Sequence, residues 1–141
     1  MSRVLSALLL AAALVVPALA SAEVPVGVRI VRGSRSGPAQ VDPRLEDLKR
    51  QLSPLAYVRW EQVSGKELAL ARGKTEFFEL PGGDTLGVTL QEQHASGFTL
   101  EVALTQRNTQ TRLTVEKGQR IVHQVLPEKN GEALFVVLQG R

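Results

Sequence analysis

The chain contains no cysteine. Disulfide bracing, thiolate metal sites, a thiol nucleophile and a lipid on an N-terminal cysteine are therefore excluded together. Aromatic residues are scarce, with four Phe, one Tyr and one Trp in 141 residues, too few for the two interfacial girdles of a membrane β-barrel. Neither charge dominates: 17 Lys and Arg face 14 Asp and Glu. That excess is too small to argue for nucleic acid as a partner. Histidine is limited to His94 in a turn-like stretch and His123 between Ile121 and Val125. The carboxylates are dispersed, and no Gly-x-Ser-x-Gly stands in the chain. No catalytic residue, metal ligand or cofactor-binding residue is assigned on these grounds, and the chain is read as not an enzyme.

Long apolar runs are also missing, with one exception. Arg3 precedes an apolar stretch from Val4 to Val16, Pro17 ends it, and Ala18, Ala20 and Ala22 follow at alternate positions. Charge, short apolar core and an A-x-A exit make residues 1–22 a secretory signal peptide, cleaved after Ala20 or Ala22. The rest, 23–141, reads as a single strand-rich domain with no transmembrane segment, held by packing alone. The expected location is exported, periplasmic or extracellular, soluble or peripherally membrane-associated.

One helix stands out. Asp42 can cap it, Pro43 suits its first position, Leu45, Leu48 and Leu52 form an apolar stripe, and Ser53-Pro54 stops it. From Ala56 onward the period is two. Strands are expected in "AYVRWEQV" up to a Ser64-Gly65 turn, then in "ELALA", "TEFFEL", "TLGVTLQE", "FTLEVALT", "RLTVE", "RIVHQVL" and "ALFVVLQ". Asn130-Gly131 between the last two is a hairpin turn, because both residues tolerate positive φ. Leu86, Val88 and Leu90 share one face, as do Phe98, Leu100, Val102 and Leu104. The fold class is mainly β (α+β), an antiparallel β-sandwich or small open barrel with one N-terminal helix.

Between the first strand and the helix lies "RGSRSGPAQ". Strand, glycine loop and helix start is the layout that holds phosphates. Here Gly33 and Gly37 have the wrong spacing, Pro38 removes an amide, and Asp42 would repel a phosphate at the helix start. The loop is a connection, and an exposed one. Arg29, Arg32 and Arg35 fall within seven residues with no acid among them, so they form a candidate contact surface for an anionic partner. Tyr57 and Trp60, three apart, are expected on opposite faces of one strand, which makes Trp60 a further candidate contact.

The segments "VRIVRGSRSG", "VDPRLEDLKRQL", "YVRW", "LPGGDTLGV" and "NGEALFVVL" follow one another in an order that resembles a loosely defined set of small exported strand-rich proteins of myxobacteria and related bacteria, functionally uncharacterised. The resemblance implies an exported, non-catalytic domain and transfers no site residue. The function expected is a non-enzymatic extracytoplasmic binding or structural subunit of a bacterial cell-envelope assembly of the motility, pilus or secretion type, acting through protein–protein contacts with an envelope protein. Alternatives are a module that binds an anionic envelope glycan or lipid, and an inhibitor of an exported hydrolase.

Overall fold

The structure is a computed structural model and describes residues 22–141. The signal peptide expected over residues 1–22 lies, but for Ala22, outside the described residues. The described residues form nine strands and one short helical segment: β1 Val24–Ser34, β2 Gln40–Val41, β3 Arg59–Leu70, β4 Thr75–Glu79, β5 Thr85–Gln93, β6 Gly97–Leu104, β7 Thr109–Glu116, β8 Arg120–Lys129 and β9 Glu132–Gly140. They form two sheets. The first has five strands in the order β2-β3-β1-β9-β8, the second four in the order β4-β5-β6-β7. All pairings are antiparallel except β2 with β3. The sheets stack without closing into a barrel, which makes the protein mainly β with a sandwich-like α+β arrangement. Among the described residues, no helix is long and apolar enough to cross a membrane.

Alternation builds the inter-sheet core. Val24, Val26, Val28 and Ile30 of β1 meet Leu86, Val88 and Leu90 of β5 and Phe98, Leu100, Val102 and Leu104 of β6, with Leu134, Val136 and Leu138 of β9 beside them. Residues two apart on a strand share a face, so one apolar parity fixes the register.

A second core lies on the other face of the five-stranded sheet. Val31, Trp60, Ala133, Phe135 and Val137 are covered there by Leu45, Leu48 and Leu52. The covering segment is a 3-10 helix over Pro43–Leu48 that continues into one α-helical turn, α1, at Lys49–Leu52. Its apolar positions are spaced three and then four apart, the repeats of those two helices. Asp42 caps it, accepting from the Arg44 amide at 3.0 Å, and also accepts from the Gln62 amide of β3 at 3.0 Å. The Arg44 guanidinium and these two amides hold the Asp42 carboxyl well below the usual range.

Two sequence expectations need correction. Ser64-Gly65 is not a turn, because β3 runs straight through it. The ladder slips between Ile30 and Val31, so Val63 bulges out of β3. A Cβ at Gly65 would stand 2.8 Å from Gln62 Nε2, the mobile end of its side chain, and 3.4 Å from Arg29 Cγ. Tyr57 and Trp60 do not occupy opposite faces, because the strand begins only at Arg59. Their rings meet edge to face at 5.6 Å. The expected turn at Asn130-Gly131 shows positive φ at both residues, and Gly73, Gly82, Gly83 and Gly118 show it in other connections between strands.

Candidate functional site

The three arginines do not share a surface. Arg29 points to the outer face of the five-stranded sheet, under the helical segment, with its side chain 17% exposed. Its guanidinium grips both carboxylate oxygens of Asp47 at 3.0 and 2.8 Å. Asp47 also meets Arg120 of β8 at 3.0 Å, so one carboxylate ties the helical segment to two strands. Arg32 points to the inner face and donates to Glu61 at 3.1 Å. Arg35 lies beyond the strand end, donates to Glu128 at 2.7 Å and sits 5.0 Å from the centroid of the Tyr57 ring. Each arginine therefore has an acid that local sequence could not show, from 18, 29 and 93 residues away. Trp60, the fourth candidate contact, is 4% exposed and cannot reach a partner. It is packed between Tyr57 and Phe135, over Gly33.

What the structure does bring together is a polar shelf at one end of the sandwich. On β1 the inner face runs Val24, Val26, Val28, Ile30 and then Arg32 and Ser34. On β9 it runs Leu138, Val136, Leu134 and then Glu132. Arg59 and Glu61 of β3 pair with Ser34 and Arg32, respectively. The five-stranded sheet outruns the four-stranded one here, and the uncovered inner-face positions are polar. Ser34 Oγ donates to Glu132 Oε2 at 3.2 Å. Ser36 and Gly37 of the glycine loop border the shelf. The shelf opens into a cleft of about 640 Å³ between Arg32, Leu126, Leu134 and Lys129 on one side and the Pro81-Gly82 turn and Arg107 on the other. Arg107 is held by Asp84 at 3.2 and 3.3 Å. Among the described residues, Arg59 and Lys129 have no ion-pair partner.

Arg32 is the one shelf residue singled out from sequence. Arg59, Glu61, Glu132 and Lys129 were missed. The signal that finds the shelf is a break in parity: the apolar positions 26, 28 and 30 are followed by Arg32 and Ser34 on the same face.

The electrostatics at the rim are specific. Tyr57 Oη donates to Glu128 Oε1 at 2.9 Å, so this carboxylate receives two donors. The Arg35 bond first, and then the Tyr57 bond, lower the Glu128 pKa. Burial, helped by Glu128, raises that of Tyr57. Ser34 faces a carboxylate rather than an imidazole. His94 lies in the β5–β6 turn against Thr99 at 2.9 Å, and His123 is half-buried on β8 beside Val102 and Leu104. Among the described residues, no three His, Asp or Glu side chains converge as metal ligands. The site offers ionic and hydrogen-bonding contacts to something that enters from the end.

A pH dependence follows from His123. Burial lowers its pKa from the ordinary 6.5. Around and below that value the unfolded chain takes up a proton that the folded chain resists, so stability falls as pH drops through the ordinary imidazole range toward the lower folded value. Asp47, Glu67 and Glu128 behave differently. Their arginine partners depress their pKa values, so their contribution is complete above the unfolded carboxylate range and is lost as pH falls through the folded values. Urea midpoints measured against pH should therefore fall in two stages. His123→Gln should remove the upper stage only; if the upper stage persists in that variant, another group causes it.

No protein family, curated protein or solved structure matches the chain.

Proposed function

We propose that this protein is a non-enzymatic, extracytoplasmic subunit of a bacterial cell-envelope assembly of the motility, pilus or secretion type, and that it binds a protein partner at the polar shelf. The observation that carries the reading is the shelf itself. Core-facing positions of a sandwich are apolar unless something other than the second sheet meets them. Here Arg32, Ser34, Arg59, Glu61 and Glu132 occupy them. The unpaired cations Arg59 and Lys129 favour a partner segment that carries carboxylates.

The experiment is co-sedimentation with isolated envelopes at low and moderate salt. Arg59→Ser combined with Lys129→Ser should weaken binding several-fold at low salt and flatten its salt dependence. Arg29→Ser, on the opposite face, should leave binding unchanged at temperatures where the variant is folded. Equal binding by the double variant and wild type at both salts would remove the shelf as the site.

The cleft volume supports a second reading. About 640 Å³ lies in the range of small-ligand sites, which suits an anionic glycan unit or lipid head group. Competition by a soluble uronic-acid oligosaccharide or by glycerol phosphate in the same assay separates the two readings.

A further inference from the structure

β4 is the outermost strand of the four-stranded sheet and pairs only with β5. One side of its backbone has no strand beside it, which is a template for another strand unless the sequence protects it. The other open edges are protected. β8 carries Pro127 and two breaks in its ladder. β3 carries the Val63 bulge and the charges Glu61, Lys66 and Glu67, and β2 covers its first residues. β7 carries Arg112, and the chain just beyond it is tied to the other sheet by the Lys117–Gly140 bridge. β4, "TEFFE", has no proline, no lysine and no bulge. Its one inward charge, Glu76, is already held by Lys66 at 2.7 Å. Outward it presents Phe77, 61% exposed, the most exposed large hydrophobic side chain among the described residues. One edge of the ring lies over Gly87 of β5, where a Cβ would stand 3.3 Å from Phe77 Cε1.

We infer that β4 pairs with β4 of a second copy of this chain, antiparallel about a two-fold axis, joining two four-stranded sheets into one. The register follows from charge and parity. Outer faces must coincide, so the axis passes through a residue of the strand rather than between two. Centred on Glu76, the pairing sets that carboxylate against its own copy. Centred on Phe78, it sets Glu79 against the exposed Phe77 ring on the outer face and Glu76 against Leu80 on the inner face, so charges oppose apolar side chains on both faces. Centred on Phe77, it sets Phe77 against Phe77 and Thr75 against Glu79 on the outer face and Glu76 against Phe78 on the inner face, so no like charges are opposed and the exposed ring meets its own copy at the axis. The contact is isologous, so it closes as a dimer and does not propagate. A five-residue strand makes a small interface, so the association is reversible and concentration-dependent.

Sedimentation equilibrium over micromolar to near-millimolar protein tests this. Wild type should shift from monomer to dimer mass across the range. Phe77→Asp should remain monomeric, because the two-fold axis places two carboxylates together. An equimolar mixture of Phe77→Asp and Phe77→Lys should recover the dimer. A wild-type chain that stays monomeric throughout, or a Phe77→Asp chain that dimerises like wild type, overturns the proposal. The chain has no cysteine, so Phe77→Cys carries the only thiol. Mild oxidation should link it into dimers much faster than Thr75→Cys, whose neighbour across the axis is Glu79. Equal rates overturn the register. This second measurement decides the matter even where the Asp variant folds poorly.

Discussion

Trp60→Ala should lower the unfolding free energy by about 3–5 kcal/mol, the cost of deleting a large buried ring and leaving the space open. The indole fills the gap between β3, β1 and β9. Its centroid lies 5.3 Å from that of Phe135 and 5.6 Å from that of Tyr57. Beneath it is Gly33, where an added Cβ would come within 2.9 Å of the indole, so the neighbouring strand has no side chain to collapse into the void. A domain of this size has a total stability of roughly 5–15 kcal/mol, and without cysteine nothing covalent supplements it. The variant should therefore be only marginally folded. Urea unfolding followed by far-ultraviolet circular dichroism measures the effect, since the variant has lost its only Trp. A loss below about 1 kcal/mol would mean that the aromatic layer refills the space. Because Trp60 is buried, the proposed shelf contact predicts that whatever fraction remains folded behaves like wild type in the co-sedimentation assay.

Leu48→Ala should cost about 2–5 kcal/mol. Leu48 stands at the junction of the 3-10 and α turns and is fully buried between Leu45 and Leu52 on the outer face of the five-stranded sheet. So short a helical segment has little stability of its own, and most of it comes from this apolar stripe. The loss should appear first as local opening. Backbone amides of 44–53 should exchange faster, while those of β5 and β6, on the far side of the sandwich, keep their protection until global unfolding. A variant that melts at the wild-type temperature would show that the segment contributes nothing to the second core.

Where the sequence was easy to read, a single physical demand acted on neighbouring residues. Leu86, Val88 and Leu90 alternate because one face of β5 is buried, and Asn130-Gly131 turns because both residues must take positive φ. The helical stripe was visible for the same reason, although its first half is a 3-10 helix rather than an α-helix. Where reading failed, the cause lay far along the chain. Gly65 lies inside β3, opposite Arg29 of β1, and composition cannot separate a glycine within a strand from one in a turn. The arginines looked unneutralised because Asp47, Glu61 and Glu128 reach them only after the sheet is assembled. Tyr57 and Trp60 looked split between two faces because the strand was started at Ala56 rather than at Arg59. The shelf was half legible. Its parity break stands in β1, but Arg59, Glu61 and Glu132 join it only through pairing with β3 and β9.

The position of β1 between β3 and β9 also sets an order of events. The four-stranded sheet is a run of neighbours from Thr75 to Glu116, each strand pairing with the next, so its contacts close short loops and can form early. The five-stranded sheet differs. Ser34 must find Glu132, and Val26 must find Gly140, pairings that close loops of about a hundred residues and pay the corresponding entropy. During synthesis β1 emerges first among these strands and waits for its neighbour until Glu132–Gly140 has been made. Until then the apolar faces of β1 have no lasting cover on the β9 side. Folding should thus be slow for the chain's size, and refolding experiments should show protection in β5 and β6 well before β1. A nascent chain stalled before β9 would stay open, available to a holding chaperone rather than committed to a finished fold.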